Sequence, residues 1–335
     1  MQKKKTTIYF RADANETIGL GHVIRSLALA SYLKNEFECV FVIKKSSATI
    51  INTIKSSICN IVQINNESDF LNIINNKDIV VLDGYDFNLS YQISIKKNCF
   101  KLVCIDDIAN RKFYCDMIIN HAEGIKEENY DCQPFTKIFL GFKYALLRKP
   151  FLLLKDNKNV TNEISSYFVC FGGSDSENFT KKTIEQLLNI DGIKKINIVI
   201  GGGYQYNEDL NILCKSINGC QVNLYKNVDA EEMVSIIQDS HLAIVPSSST
   251  SYEALSVGIP IITGYTVDNQ KKIYKSLVKQ ELVLGIGTFP IKNLAKSIEI
   301  IKIKKNIMIE NQSHFIDGKS VERLLQKFKD LNNEQ

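Results

Sequence analysis

Two neighbouring stretches decide the fold: Thr7-Ile8-Tyr9-Phe10-Arg11-Ala12-Asp13, and then Gly19-Leu20-Gly21-His22-Val23-Ile24-Arg25. The short apolar run 7–10 reads as a buried strand. Two glycines then let the backbone turn tightly and approach a ligand closely. From His22 onward, Val23, Ile24, Leu27, Leu29 and Leu33 supply a broad apolar face, which predicts a helix over 22–33. Strand, glycine turn and helix in this order open a doubly wound α/β domain. His22 stands where an ordinary phosphate loop carries a small residue, so a titratable imidazole sits at the mouth of a helix N-terminus that favours anions. That arrangement points to chemistry beside a bound phosphate or sugar.

The same alternation continues outward. Further strands are predicted over 40–43, 78–83, 102–105 and 117–119, and their continuous apolar character indicates a parallel sheet covered on both faces. The pattern breaks between 147 and 164, where Arg148-Lys149-Pro150 leads to the polar stretch Lys155-Asp156-Asn157-Lys158-Asn159, read as an inter-domain linker. A second series starts at 167–171, ending in Gly172-Gly173-Ser174-Asp175, and 196–200 runs into Gly201-Gly202-Gly203. Strands at 242–245 and 259–262 and a closing helix at 320–331 follow. The expected architecture is therefore two Rossmann-like α/β domains, 1–150 and 151–335, with the last helix free to pack back on the first. At roughly 150 residues per domain, 335 residues suit two. Two such halves, with loops at the carboxyl ends of their strands, imply a ligand cleft between them.

Composition excludes several classes. The net charge is only +4 and no basic stripe is interleaved with aromatics, so nucleic acid is not an expected partner. No apolar run approaches the ~20 residues that span a bilayer, and the basic start is followed by too short an apolar segment for a signal peptide. Nine cysteines without a Cys-x-x-Cys pair read as reduced thiols, Cys39, Cys104 and Cys170 filling core, in a cytoplasmic protein without a metal cage. A small-molecule substrate, no cofactor, and a monomer or weak dimer are the corresponding expectations. Arginine is scarce, which draws attention to Arg11 and Arg25 beside the opening motif.

The opening motif has two glycines of a dinucleotide fingerprint, but Ile24 occupies the third position, so a nicotinamide cofactor is not expected. Pro246-Ser247-Ser248-Ser249-Thr250-Ser251 precedes Tyr252-Glu253-Ala254-Leu255. Small hydroxyl residues expose main-chain N–H groups at a helix start, where a pyrophosphate can sit, and Glu253 is placed to accept from ribose hydroxyls. The same residues could also form an N-cap with a dipole-favourable acid. Asp83-Gly84-Tyr85-Asp86 closes the third predicted strand and sets Tyr85 at the functional edge of the sheet. Asp106-Asp107 closes the next; without a third ligand, the pair reads as a cap or structural pair rather than a metal site. Asn269-Gln270 offers two amides able to read hydroxyl or acetamido groups, or a solvated turn.

Taken together, these motifs resemble one family. They are Arg11-Ala12-Asp13 with 18–25, Asp83-Gly84-Tyr85, Ile105-Asp106-Asp107-Ile108, Cys115-Asp116-Met117-Ile118-Ile119-Asn120, 141–148, Gly172-Gly173-Ser174-Asp175, Ser248-Ser249 with Glu253-Ala254-Leu255, and Asn269-Gln270. Their order and spacing are similar to those of the UDP-2,4-diacetamido-2,4,6-trideoxy-β-L-altropyranose hydrolases of pseudaminic acid biosynthesis. The resemblance runs from Thr7 to about Tyr274. It implies a glycosyltransferase-B-like pair of domains and metal-independent hydrolysis of an anomeric C–O bond with release of UDP. It also implies catalytic roles for His22, Tyr85 and Asn269. Substrate contacts would fall on Arg11, Asp13, Gly21, Arg25, Gly173, Ser174, Ser248, Ser249, Glu253 and Gln270. The family commonly has His where this chain has Gly84, and the tail after about Leu282 carries no motif of the set. A glycosyltransferase of the same fold and a non-catalytic nucleotide-sugar binding protein are the alternatives.

Overall fold

A computed structural model of the protein describes residues 5–14, 20–57, 60–154 and 163–334. Ile18 and Gly19 of the opening motif, and the polar stretch Lys155-Asp156-Asn157-Lys158-Asn159, lie outside the described residues. The chain divides into two units, Met1–Lys149 with Gly318–Gln335, and Pro150–Asp317.

The first unit is built on a parallel sheet of seven strands: β1 (Thr7–Ala12), β2 (Glu38–Lys44), β3 (Asn60–Ile64), β4 (Ile79–Asp83), β5 (Lys101–Ile105), β6 (Met117–Asn120) and β7 (Lys137–Leu140). Their order is β3-β2-β1-β4-β5-β6-β7. The central strands are continuous apolar runs because both faces are covered: Ile8, Phe10, Phe41, Ile79 and Val81 are all fully buried. Helix α1 (Gly21–Leu33) is apolar around most of its circumference and is correspondingly buried. Helices α2 (Ala48–Ser56), α3 (Glu67–Leu71) and α4 (Leu89–Asn98) each start on a side-chain cap, from Ser47, Asn66 and Asn88 respectively.

A short α5 (Lys149–Leu152) marks the boundary. The second unit holds six parallel strands: β8 (Ser166–Val169), β9 (Lys195–Ile200), β10 (Gln221–Lys226), β11 (Leu242–Pro246), β12 (Ile261–Tyr265) and β13 (Leu284–Thr288), in the order β10-β9-β8-β11-β12-β13. Helices α6 (Phe179–Leu187), α7 (Asn207–Ser216), α8 (Ala230–Gln238), α9 (Ser249–Val257), α10 (Lys271–Lys279) and α11 (Leu294–Phe315) surround it. Ile184, Leu187, Ile198, Leu242, Ile244 and Ile301 belong to one apolar cluster that joins sheet and helices.

After Gly318 the chain returns to the first unit as α12 (Ser320–Asn333). Leu324, Phe328 and Leu331 of α12 are buried, and Phe328 meets Phe37 edge-on at 6.5 Å. Lys329 pairs with Glu36 at 2.9 Å, and Glu334 with Lys101 at 2.9 Å. The tail after Leu282 thus completes the second sheet and then covers the first unit.

Each sheet reverses its strand order once, between β1 and β4 in the first unit and between β8 and β11 in the second. Ligands of open α/β sheets bind outside the carboxyl ends of the strands at such switch points.

Candidate active site

At the switch point of the first sheet, β1 and β4 run side by side with Ala12 opposite Asp83. Asp83, the last residue of β4, is fully buried and accepts four hydrogen bonds. Arg25 donates Nε to Oδ2 at 2.8 Å and Nη2 to Oδ1 at 2.6 Å; Ser26 Oγ donates at 3.0 Å; His22 Nδ1 lies 2.7 Å from Oδ1. Burial alone would raise the carboxyl pKa, but the charge of Arg25 and then His22 hold it well below the usual carboxylate range. An ionised carboxylate only accepts, so His22 Nδ1 carries a proton, and whenever the ring is neutral Nε2 is its basic nitrogen. Arg25 Nη2 is also 3.0 Å from Nδ1, but its bond goes to Asp83.

Tyr85 packs edge-on against His22, with ring centroids 4.7 Å apart. Its hydroxyl donates to Asp107 at 2.9 Å, and Asp107 accepts from Arg25 Nη1 at 2.6 Å. The adjacent Asp106 has a different task, accepting from Ile108 N, Ala109 N and the Tyr130 hydroxyl to fix the turn after β5.

His22, Tyr85 and Asp13 line a pocket of about 440 Å³ within the first unit. Its other walls include Lys44, Glu67, Phe87 and Tyr91. Arg11, expected among the substrate contacts, is instead fully buried behind this wall. It forks onto Asp13 through two bonds of 2.6 Å, reaches Glu67 at 2.8 Å, and lies 5.1 Å from the Phe87 ring centroid. For Glu67, the bonds from Arg11 and Lys44 outweigh burial, which would raise its pKa, and pull it to about 2. A Cβ on Gly84 would stand 3.0 Å from the Phe87 ring, so the glycine lets that ring close in under Arg11. Gly21 opens α1 with nothing within 4 Å of where its Cβ would be. Neither helix packing nor backbone geometry calls for a glycine there.

In the second unit, Gly173 and Ser174 follow β8, while Ser248, Ser249 and Glu253 follow β11, so both groups sit at the second switch point. Gly173 is pressed against the glycine run after β9: a Cβ on Gly201 would fall 2.5 Å from both Gly173 Cα and Gly173 O, and Gly203 N donates to Gly173 O at 3.0 Å. Asp175 is buried as a cap, accepting from Phe179 N and Thr180 N at 2.8 Å each.

Helix α9 differs. Ser248 occupies its N-cap without a side-chain capping bond, and its first turn holds no acid. The capping alternative for the serine cluster is not what the structure adopts. Ser247 is tied to Thr263 at 3.0 Å and Ser251 Oγ donates to Ser248 O at 2.7 Å, while the main-chain N–H groups of Ser247 and Ser248 donate to Gly264 O and Pro246 O at 2.8 Å each. Glu253 is buried one turn in. Asn269 and Gln270 form a turn after β12, where Gln270 Oε1 accepts from Thr266 N at 2.9 Å.

Ser26 and Glu67 were not among the residues singled out from the sequence; Asp83 was named only within its strand-end motif, and Asp107 as half of a cap or structural pair, which is what Asp106 and Asp107 form. For Asp83 the available signal was a carboxylate ending a fully apolar strand. Among the described residues, no group of three or more His, Cys, Asp or Glu side chains is placed to hold a metal ion, and no helix is long and apolar enough to cross a membrane.

No family model matches the chain. An uncharacterized protein of Methanocaldococcus jannaschii is 31% identical over 280 residues, which are 80% of this chain but 57% of that protein. The chain thus spans little more than half of that relative. The UDP-2,4-diacetamido-2,4,6-trideoxy-beta-L-altropyranose hydrolase of Campylobacter jejuni is 25% identical over 281 residues, 82% of this chain and 96% of that enzyme. The chain is a relative of this hydrolase. A Helicobacter pylori protein named both as pseudaminic acid cytidylyltransferase and as the same hydrolase is 22% identical over 91% of this chain and 52% of its own length. Among solved structures, MurG of Acinetobacter baumannii superposes with a TM-score of 0.64 at 12% identity, covering 97% of this chain and 99% of its own. The fold is glycosyltransferase-B-like, as the resemblance in sequence implied.

Proposed function

We propose that the protein hydrolyses the anomeric C–O bond of a UDP-linked diacetamido-trideoxy sugar, releasing UDP and 2,4-diacetamido-2,4,6-trideoxy-L-altrose for pseudaminic acid synthesis. The observation that carries this reading is His22. Its Nδ1 is pinned to a buried, ionised Asp83 while the ring lines a pocket, in a chain related to a hydrolase of that substrate. In this reading Nε2 takes a proton from water as the water oxygen bonds to the anomeric carbon. The C–O bond to the β-phosphate breaks, its electron pair leaves with UDP, and attack opposite the leaving group inverts the centre. The N-terminal end of the α9 dipole stabilises the charge on the departing diphosphate, and Glu253 holds the ribose. Tyr85 and Asn269 hold the sugar. Arg11 and Arg25 act behind the pocket wall, keeping the carboxylates in place. No step draws on a metal or cofactor, and the reaction belongs to the cytoplasm, where UDP-sugars are made.

Transfer of the sugar to an acceptor, on the same fold, is the alternative reading. Incubation with the UDP-sugar in oxygen-18 water, with chelator and without acceptor, separates the readings. Hydrolysis places the label in the released sugar. Label in UDP, or turnover only after an acceptor is added, would refute it.

A further inference from the structure

Arg25 follows His22 by one helical turn, which made it a candidate substrate contact, yet its guanidinium is almost completely buried and each of its three nitrogens meets a carboxylate. Nε and Nη2 fork onto Asp83 at 2.8 and 2.6 Å, and Nη1 reaches Asp107 at 2.6 Å. Those two carboxylates hold the two pocket side chains that touch one another: Asp83 takes His22 Nδ1, and Asp107 takes the Tyr85 hydroxyl. We propose that Arg25 is a positioning residue that couples His22 to Tyr85, one buried cation fixing both the imidazole tautomer and the direction of the phenol proton.

The inference rests on His22 being the base of the proposed hydrolysis, and it adds a statement about substrate polarity. With its proton committed to Asp107, the Tyr85 oxygen faces the pocket as an acceptor only. It therefore reads a donor on the sugar, such as an acetamido N–H or a hydroxyl. Planarity and the fixed fork of donors are what the task needs; a lysine would place a single ammonium where three directed bonds are made. The other charged or titratable groups around the cluster are few. His121 faces Arg25, Asp107 and Asp83 from the end of β6, but burial and then Arg25 push its pKa down to about 4, so it adds no charge at neutral pH. Asp13 and Asp86 lie on the pocket side.

The test uses the full chain labelled with 15N-histidine, with long-range proton–nitrogen NMR reading the tautomer of His22 at a pH where the ring is neutral. The wild-type protein is expected to show a single form, protonated at Nδ1. Arg25→Lys should release it into a mixture and lower kcat by about tenfold or more with KM little changed. A mixed or Nε2-protonated wild-type ring, or an Arg25→Lys ring that keeps the wild-type form, overturns the proposal. Should Arg25→Lys fail to fold, a double-mutant cycle of Asp107→Asn with Tyr85→Phe replaces it. The two substitutions should be non-additive in kcat/KM by about tenfold, because Asp107 acts through Tyr85; additivity overturns the coupling. The NMR readout needs no turnover. A locked tautomer in a protein that releases no UDP would remove the hydrolase reading while leaving the positioning role intact.

Discussion

Replacing Asp83 by Asn changes one atom's hydrogen-bond polarity at a position where all four bonds are specified, so its cost can be worked through atom by atom. Oδ2 accepts from Arg25 Nε and Ser26 Oγ, and Oδ1 accepts from Arg25 Nη2 and His22 Nδ1. If the amide nitrogen takes the Oδ2 place, it faces the Arg25 Nε–H and leaves a buried donor opposed to a donor. If it takes the Oδ1 place, it faces Arg25 Nη2 and donates to His22 Nδ1. The ring is then forced into the tautomer protonated at Nε2, which cannot accept a proton from water. Either arrangement leaves a buried donor unsatisfied, at about 1–3 kcal/mol. Losing the anion beside a guanidinium left with Asp107 alone raises the total to about 3 kcal/mol. For a domain of this size that corresponds to a fall in Tm of about 10 °C. The wrong tautomer in a histidine–carboxylate pair costs up to about 10⁴ in kcat, and partial retention of the right one sets a floor near about 10². Both numbers are read on one sample: thermal unfolding by circular dichroism, and initial rates of UDP release with saturating UDP-sugar. A variant that turns over within about threefold of wild type with an unchanged Tm would show that the Asp83 bond does no catalytic or structural work, and the mechanism would fall with it.

Three further outcomes are expected. Glu67 titrates near 2 in the folded protein against 4.5 for the free side chain, so its ion pairs stabilise the fold fully above pH 4.5 and lose that contribution as the pH falls toward 2. After screening at a part-exposed site the effect should be about 1–2 kcal/mol; urea midpoints of wild type and Glu67→Gln should converge below pH 4.5, and a gap constant with pH would contradict the assignment. Gly201→Ala drives a Cβ to 2.5 Å from the Gly173 main chain, which has no side chain to move aside, so about 1–3 kcal/mol should be lost and UDP affinity with it; an unchanged unfolding midpoint would count against the close packing of the two glycine turns. Glu253→Ala should weaken UDP binding about tenfold by calorimetry while kcat changes little, and unaltered UDP affinity would take Glu253 out of the nucleotide site.

What the sequence displayed and what it hid follow from how deeply each element is buried. Strands β1, β2, β4, β5, β8, β9, β11 and β12 lie inside the two sheets, are covered on both faces, and appear as unbroken apolar runs. The four strands the reading passed over, β3, β7, β10 and β13, are the four sheet edges. Most of their residues are half-buried or exposed, and their sequences, such as Gln221-Val222-Asn223-Leu224-Tyr225-Lys226, dilute the apolar signal with polar residues that an edge tolerates. A parallel limit applies to the candidate site. His22 and Tyr85 were visible because glycines at strand ends mark where backbone approaches ligand. Asp83 and Asp107 were visible as acids at strand ends but their joint task was not, because their partner is Arg25, 58 and 82 residues away in sequence, and only the β1–β4–β5 pairing brings them to it. The same pairing explains why a scarce arginine next to a histidine misled: one helical turn of spacing fixes which face Arg25 occupies, but not whether a substrate or two buried carboxylates wait there. Charge in a buried site must be neutralised locally. An arginine on the inward face of an otherwise apolar helix therefore calls for acids at the ends of the adjoining strands, and here Asp83 and Asp107 answer it.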